Sequence, residues 1–236
     1  IVGDTRSMRD EINALRHGVS GRLLFYADGN AALNFYDAYS MGEAWSDWYA
    51  LDFLEAQGFI HDTAADGEAV TGYYIQGGQA QPVRTEPMDC AVGSVDPICP
   101  GGQTGHTGGY TLGDLGNVIG FPEPHADGEI WSQTLWDLRT KLGHNVTDAL
   151  VTRAMSLSAD DPDFLDMRNA ILRADLTGFN GKFRNTIWKV FANRGMGFFA
   201  GSIDAADGNP ASDFHVPPPT TTPHDGVVAG TITDSV

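Results

Sequence analysis

Two carboxylates, Glu43 and Asp47, stand four residues apart in the segment MGEAWSDW, within an apolar stretch that can form a helix. On a helix, their side chains project from the same face, one turn apart. Zinc sites use such a pair, because one carboxylate can bind the metal while the second orients a neighbouring ligand. The spacing alone leaves another interpretation open, an acidic helix start that the helix dipole favours.

His17 precedes Glu43 by 26 residues and lies in the segment NALRHGVSGRL, which starts at Asn13. Thermolysin-like peptidases carry the pattern H-E-x-x-H on a helix, where the two histidines share a face and bind zinc. The glutamate of that pattern polarises the attacking water, and the third ligand is a glutamate on a later helix. His17 and Glu43 correspond in type and order to the second and third ligands of such a site.

Further segments follow in an order that resembles the fungalysin family, the secreted zinc metallopeptidases of the thermolysin-like group. They are ADGN from residue 27, PHADGEIW from 124, LWDL from 135, DFLDMRNAILRAD from 163, IWKVFA from 187 and RGMG from 194. The resemblance covers roughly residues 8–200. It implies a mainly α fold, the helical C-terminal subdomain of a thermolysin-like metallopeptidase with long ordered loops.

The resemblance also implies roles for single residues. His17 and Glu43 occupy zinc-ligand positions, and Asp47 occupies the position of the carboxylate that orients a ligand. His125 corresponds to the histidine that donates a hydrogen bond to the oxyanion of the tetrahedral intermediate. Taken without its motif, His125 would instead be a capping or loop histidine.

Three other residues are candidates for substrate contacts. Tyr39, or Tyr36 in its place, would supply a second hydrogen-bond donor, and Arg84 would contact a backbone carbonyl of the substrate. The turn Asp28-Gly29-Asn30 is a candidate calcium site, but it is shorter than an EF-hand loop and lacks the later bidentate glutamate. A plain hairpin-like turn is the alternative there.

One departure from the family pattern bears on catalysis. Asn13 stands at the position of the first histidine, and Ala14 stands at the position of the catalytic glutamate. An amide oxygen is a poor zinc donor beside imidazole, and alanine accepts no proton. Two protein ligands are fewer than the three that a catalytic zinc site uses. The chain is therefore a natural pseudopeptidase, an inactivated variant, or a peptidase whose residues at these two positions are not asparagine and alanine.

The chain contains two cysteines, Cys90 and Cys99, with a loop between them that carries glycine and proline. Two cysteines without further partners do not make a structural zinc site. In the secreted context that the resemblance implies, we expect a local disulfide, and two unpaired thiols are the alternative.

Composition narrows the classes of function. Hydrophobic residues make up 42% of the 236 residues, which is typical of a globular protein. The net charge of −17 disfavours nucleic acid as a partner, because phosphates would be repelled. No run of 18 apolar residues predicts a membrane span. The chain opens at Ile1 without a methionine or a visible signal peptide, as expected of a mature or excised fragment.

Periodicity predicts helices over residues 6–24, 40–57, 127–143, 146–157, 162–176 and 181–194. The stretch 58–125 is rich in loops, with a candidate strand at 71–75. We predict a helical metallopeptidase subdomain over 1–208 and a linker rich in proline and threonine over 209–225. Residues 226–236 would form the first strand of a truncated β-sandwich module.

Two classes of function remain. The first is a secreted, extracellular, zinc-dependent endopeptidase that cleaves protein or peptide substrates with a zinc-activated water. It also requires, as a partner, the β-rich N-terminal half of the family's catalytic domain. The second is a catalytically inactive pseudopeptidase, that is, a structural or peptide-binding module.

Overall fold

A computed structural model describes residues 36–63, 65–73 and 83–219 of the protein. The predicted helix over 6–24, with Asn13, Ala14 and His17, lies outside these residues. So do the turn at Asp28-Gly29-Asn30 and the predicted strand over 226–236. In the described residues the fold is mainly helical, with five α-helices, a short 3₁₀-helix and no strand longer than an isolated bridge.

Helix α1 spans Tyr36–Ala56 and carries the two acidic residues of the opening motif. Most of its residues are buried, including the polar residues Asp37, Ser40 and Asp52. The helix ends two residues before Gly58, whose φ of +74° is a conformation that favours glycine. The amide of Gly58 donates to the carbonyl of Glu55 at 2.8 Å, which closes the last turn.

Helix α2 spans Pro124–Leu142 and packs against α1. Glu123 caps its N-terminus by accepting a hydrogen bond from the amide of Ala126, and a proline occupies the first turn. At Gly128 the two helices approach so closely that an added Cβ would lie 2.6 Å from the carbonyl oxygen of Ser40. The close approach therefore depends on glycine at this position.

Three further helices pack against the α1–α2 pair: α3 spans His144–Met155, α4 spans Phe164–Phe179 and α5 spans Arg184–Asn193. Asp163 and Asp166 form a reciprocal capping box at the start of α4. Asn180 ends α4 in the left-handed conformation, with φ of 56°. All five helices were predicted from sequence, with their ends displaced by up to four residues.

Large aromatic side chains from several helices fill the core. Trp131 of α2 packs against Phe164 and Phe191, with ring centroids 5.4 and 5.7 Å apart. The most buried aromatic members are Trp45, Trp48, Tyr49, Tyr110, Trp131, Trp136, Phe164 and Phe191. Within the described ranges, no helix is long and apolar enough to cross a membrane.

The connection between α1 and α2 is long and irregular, as predicted. The candidate strand at 71–75 is wrong for its described part, because residues 71–73 form a turn. Among the described residues of this connection, the one regular element is a 3₁₀-helix over Leu112–Asp114. Cys90 and Cys99 form the expected disulfide, with their Cα atoms 5.7 Å apart. The bridge closes a small loop within this connection.

Buried polar side chains fix this connection to the helices. Arg194, directly after α5, is fully buried and binds four partners. Its guanidinium donates to the carbonyls of Tyr110 and Cys90 at 3.0 and 2.8 Å and to Gln133 Oε1 at 2.7 Å, while its Nε donates to Asp137 at 2.7 Å. One side chain thus ties α2 and α5 to two points of the connection.

The described part of the predicted linker contacts the helical body. The carbonyl of Asp213 accepts from the amide of Gly197 at 2.7 Å, and Ala211 and Gly201 exchange backbone hydrogen bonds at 2.7 and 3.0 Å. The predicted division into subdomain, linker and module stays a prediction, and residues 220–236 lie outside the described part of the chain.

We predict that Arg194→Met lowers the free energy of unfolding by about 3–5 kcal/mol, because it leaves the Asp137 carboxylate and two buried carbonyls without their partner. Urea unfolding followed by tryptophan fluorescence measures the change. Arg184→Met is the control, since Arg184 is exposed and its replacement should cost less than about 0.5 kcal/mol. Equal effects of the two substitutions would contradict the prediction.

Candidate functional site

Glu43 and Asp47 lie one turn apart on α1, and both side chains are buried. Asp47 Oδ2 accepts a hydrogen bond from Arg84 Nε at 2.6 Å. Glu43 has a different environment: its Oε2 is buried and has no hydrogen-bond partner among the described residues. The two carboxylates of the motif are therefore unequal, since Arg84 neutralises one of them and the other keeps an open oxygen.

Burial and neighbouring charges shift the pKa values of Asp47 and Arg84. Burial raises the pKa of Asp47 above its ordinary value, and the adjacent Arg84 guanidinium offsets part of the rise. For Arg84, burial lowers the pKa, but the carboxylates of Asp47, Glu129 and Glu43 outweigh burial and leave the pKa raised. Arg84 therefore stays charged beside Asp47.

His125 lies in the first turn of α2, with its Nε2 atom 3.3 Å from Glu43 Oε2. This approach has the distance of an ion pair but not the angles of a hydrogen bond, so Glu43 Oε2 remains unsatisfied in this part of the chain. The Nδ1 atom of His125 lies 2.6 Å from Glu123 Oε1, which orients the ring. Almost half of the His125 side chain, 46%, is exposed, whereas the Glu43 side chain beside it is buried.

The carboxylate of Glu123 has two tasks, since it caps α2 and holds the ring of His125. Partial burial acts to raise the pKa of Glu123, but the hydrogen bonds from His125 and Ala126 outweigh it and leave the pKa lowered. An ionised Glu123 accepts a hydrogen bond from the Nδ1–H group of His125, so Nε2 can donate only when the ring carries a second proton. His125 in that form could stabilise an oxyanion.

Helix α2 adds two buried polar residues that sequence reasoning missed. Glu129 accepts hydrogen bonds from the amide and hydroxyl of Thr85 and from the amide of Glu86. Gln133, one turn later, donates to Glu86 Oε1 at 2.7 Å. The signal was present in the sequence, since Glu129 follows His125 by four residues and shares its helix face.

The remaining substrate candidates lie on α1. Tyr39 is four residues before Glu43, and 38% of its surface is exposed. Tyr36 is partly buried, and its hydroxyl has no hydrogen-bond partner within the described ranges. The structure thus brings Glu43, Asp47, Arg84 and His125 together, whereas their roles and those of the tyrosines stay predictions.

The possible metal ligands around Glu43 can be compared with the three protein ligands that a catalytic zinc site uses. The unsatisfied Glu43 Oε2 is the kind of buried oxygen that a cation would complete. In the described part of the chain, however, no three His, Cys, Asp or Glu side chains are placed to hold a metal ion. His17 would add one imidazole, and Asn13 and Ala14 add none. The residues as they stand do not fit a catalytic zinc, which uses three protein ligands.

A family model described as fungalysin metallopeptidase matches residues 12–200 of the chain. The chain belongs to the fungalysin metallopeptidase family. Similar proteins include extracellular metalloproteinase 2 of Arthroderma otae, 30% identical over 207 residues, and extracellular metalloproteinase 2 of Arthroderma gypseum, 28% identical over 207 residues. Each alignment covers 79% of this chain and 29% of the relative.

Extracellular metalloproteinase 3 of Trichophyton soudanense is also similar, 27% identical over 214 residues, which cover 80% of this chain and 48% of that protein. The chain thus spans less than half of the length of each of these relatives. The matched region includes the described residues between positions 36 and 200, and with them the Glu43–His125 contact.

We predict that Gly128→Ala destabilises the fold by about 1–3 kcal/mol, because the new methyl group would clash with the carbonyl of Ser40 and force α1 and α2 apart. Chemical unfolding measures the loss. Gly178→Ala on α4 is the matched control, since its Cβ would meet only Arg153 Cδ, at 4.0 Å. The control should be neutral or stabilising by up to about 1 kcal/mol, and a similar loss there would argue against the clash.

Stability should also fall as pH rises from about 5 to 8. Burial raises the pKa of Glu129 to about 8, despite the hydrogen bonds from Thr85 and Glu86 and the nearby Arg84. The folded protein therefore keeps a proton that the unfolded chain loses near pH 4.5, which costs at most about 1.4 kcal/mol per pH unit. Urea unfolding across this range should show a flatter profile for Glu129→Gln, and an unchanged slope would refute the assignment.

Proposed function

We propose that the surface at Glu43 and His125 forms one wall of a peptide-binding cleft, that of a secreted zinc-dependent endopeptidase of the fungalysin type. The supporting observation is the buried Glu43 Oε2 atom, which has no hydrogen-bond partner among the described residues and lies 3.3 Å from a half-exposed imidazole on another helix. A free carboxylate oxygen and a histidine at the edge of solvent are a costly pair to maintain for packing alone. This cost supports a role for the pair in binding.

Each residue of this wall has a task that its contacts support. Glu43 offers the open oxygen to a cation, and Arg84 holds Asp47 as a fixed acceptor beside it. His125, oriented by Glu123, donates from Nε2 to negative charge on a substrate carbonyl oxygen. The exposed Tyr39 lies one turn from Glu43 and adds a donor at the rim.

The second candidate function is peptide binding without hydrolysis, and Asn13 and Ala14 favour it. Zinc, when bound in this family's site, supplies a polarised water, and a glutamate takes the proton of that water. Ala14 cannot take a proton, and Asn13 replaces an imidazole ligand. The chain as it stands therefore keeps the elements that bind a peptide and lacks two elements that cleave it.

The proposed setting is extracellular. The relatives are named extracellular metalloproteinases, and the disulfide between Cys90 and Cys99 suits an oxidising compartment. Protein or peptide chains are the proposed substrates, and the cleft would be completed by the N-terminal half of the family's catalytic domain. Neither nucleic acid nor membrane is among the proposed partners. The net charge of −17 disfavours the former.

The decisive test restores the two positions in the full-length gene product. We expect Asn13→His/Ala14→Glu to bind zinc and cleave a fluorogenic peptide, because it supplies the third ligand and the proton acceptor. Unaltered protein should bind the same peptide in a non-cleavable form without turnover. Elemental analysis, cleavage kinetics and fluorescence anisotropy are the measurements.

The matched control is Asn13→His/Ala14→Gln, which restores the ligand but no proton acceptor and should bind zinc without turnover. Mass spectrometry of the tryptic peptides between Arg9 and Arg22 verifies which residues the assayed protein carries. Turnover by protein that carries Asn13 and Ala14 would contradict the inactive reading. A restored variant with neither zinc nor turnover would contradict the endopeptidase proposal, and no peptide binding by any form would contradict both.

A further inference from the structure

Arg84 reaches Asp47 from a segment without helical or strand structure. Its side chain is long and flexible, and holding it in one rotamer costs up to about 2 kcal/mol of conformational entropy. In the described residues, the Arg84 side chain makes one hydrogen bond, from Nε to Asp47 Oδ2 at 2.6 Å. Something must fix the backbone at residue 84 for this pair to form reliably.

Glu129 on α2 holds the two residues that follow Arg84. The amide of Thr85 donates to Oε1 and Oε2 of Glu129 at 3.0 and 3.1 Å, and the Thr85 hydroxyl donates to Oε2 at 2.9 Å. The amide of Glu86 donates to the same oxygen at 3.2 Å. The Glu129 side chain is almost fully buried, with 3% of the residue exposed, so these bonds are shielded from water.

The segment is also fixed on either side of this contact. Before Arg84, the amide of Val83 donates to the carbonyl of Thr71 at 2.9 Å. After it, the carboxylate of Glu86 accepts from the amides of Gly109 and Gly101 at 2.8 and 3.0 Å. Glu129 is the member of this set that belongs to the helix carrying His125, and it therefore links the position of Arg84 to that of the imidazole.

We propose that Glu129 is a positioning residue, which holds the backbone of Thr85 and Glu86 so that Arg84 pairs with Asp47 behind Glu43. Its place in peptide binding rests on the proposed function above. Helix α2 thereby orients two parts of the site, His125 directly and Asp47 through Arg84. The alternative is that Glu129 only satisfies buried amides, with no influence on Arg84.

The test compares the Arg84 Nε–H signal in proton–nitrogen NMR spectra of the full-length protein and its Glu129→Met variant. Methionine has a similar volume and accepts none of the four hydrogen bonds. We expect the exchange rate of the Arg84 Nε proton with solvent to rise at least about tenfold, because the guanidinium is no longer held on Asp47. The Nε–H of Arg194, buried and paired with Asp137, is the internal control and should keep its rate.

Unchanged exchange at Arg84 in the folded variant would overturn the proposal. If Glu129→Met does not fold, Thr85→Val tests the same link, since it keeps the branched shape and removes the hydroxyl that donates to Glu129. A rise of about threefold at Arg84, with Arg194 unaffected, would support the proposal, and no rise would overturn it.

Peptide affinity separates this inference from the function on which it rests. If Glu129 acts through Arg84, then Glu129→Met and Arg84→Met weaken binding of a non-cleavable peptide to a similar extent, and the double variant is no weaker than either. Effects that multiply would overturn the positioning role. Unaltered protein that binds no peptide would refute the proposed function, whereas the exchange measurement would still decide whether Glu129 holds Arg84.

Discussion

The close approach of α1 and α2 at Gly128 is the constraint on which the site depends. Any side chain there would meet the backbone carbonyl of Ser40, so only glycine lets the two helices approach to this distance. His125 and Glu129 lie on either side of Gly128 in the sequence of α2, four residues apart. With the helices at this distance, His125 reaches Glu43 on α1, and Glu129 reaches the segment after Arg84.

The long connection between the helices obtains its order from buried polar and charged side chains. It has no strand in the described residues, so its backbone amides and carbonyls need partners from elsewhere. Glu86, Glu129 and Arg194 supply them, each with several hydrogen bonds to backbone groups. Such residues are costly to bury without partners, and for that reason they specify one arrangement of the loops.

The structure brings Glu43, Asp47, Arg84 and His125 together from α1, α2 and the connection between them. In the proposed function these residues bind the peptide, whereas Asn13 and Ala14 stand where the first imidazole and the proton acceptor would be. Peptide binding without hydrolysis is part of that proposal because the two groups of residues are separate in the sequence.

Sequence alone determined the family, the five described helices and the candidate residues Glu43, Asp47 and His125. The helices follow from apolar periodicity, which is a local property of the chain, and the family and the candidates follow from motifs that stand in the family's order. Only the tertiary structure decided that Arg84 binds Asp47, that Glu129 holds the residues after Arg84, and that Arg194 joins four segments. These contacts join residues separated by 37 to 104 positions, and their partners are set by how the helices pack rather than by any local pattern.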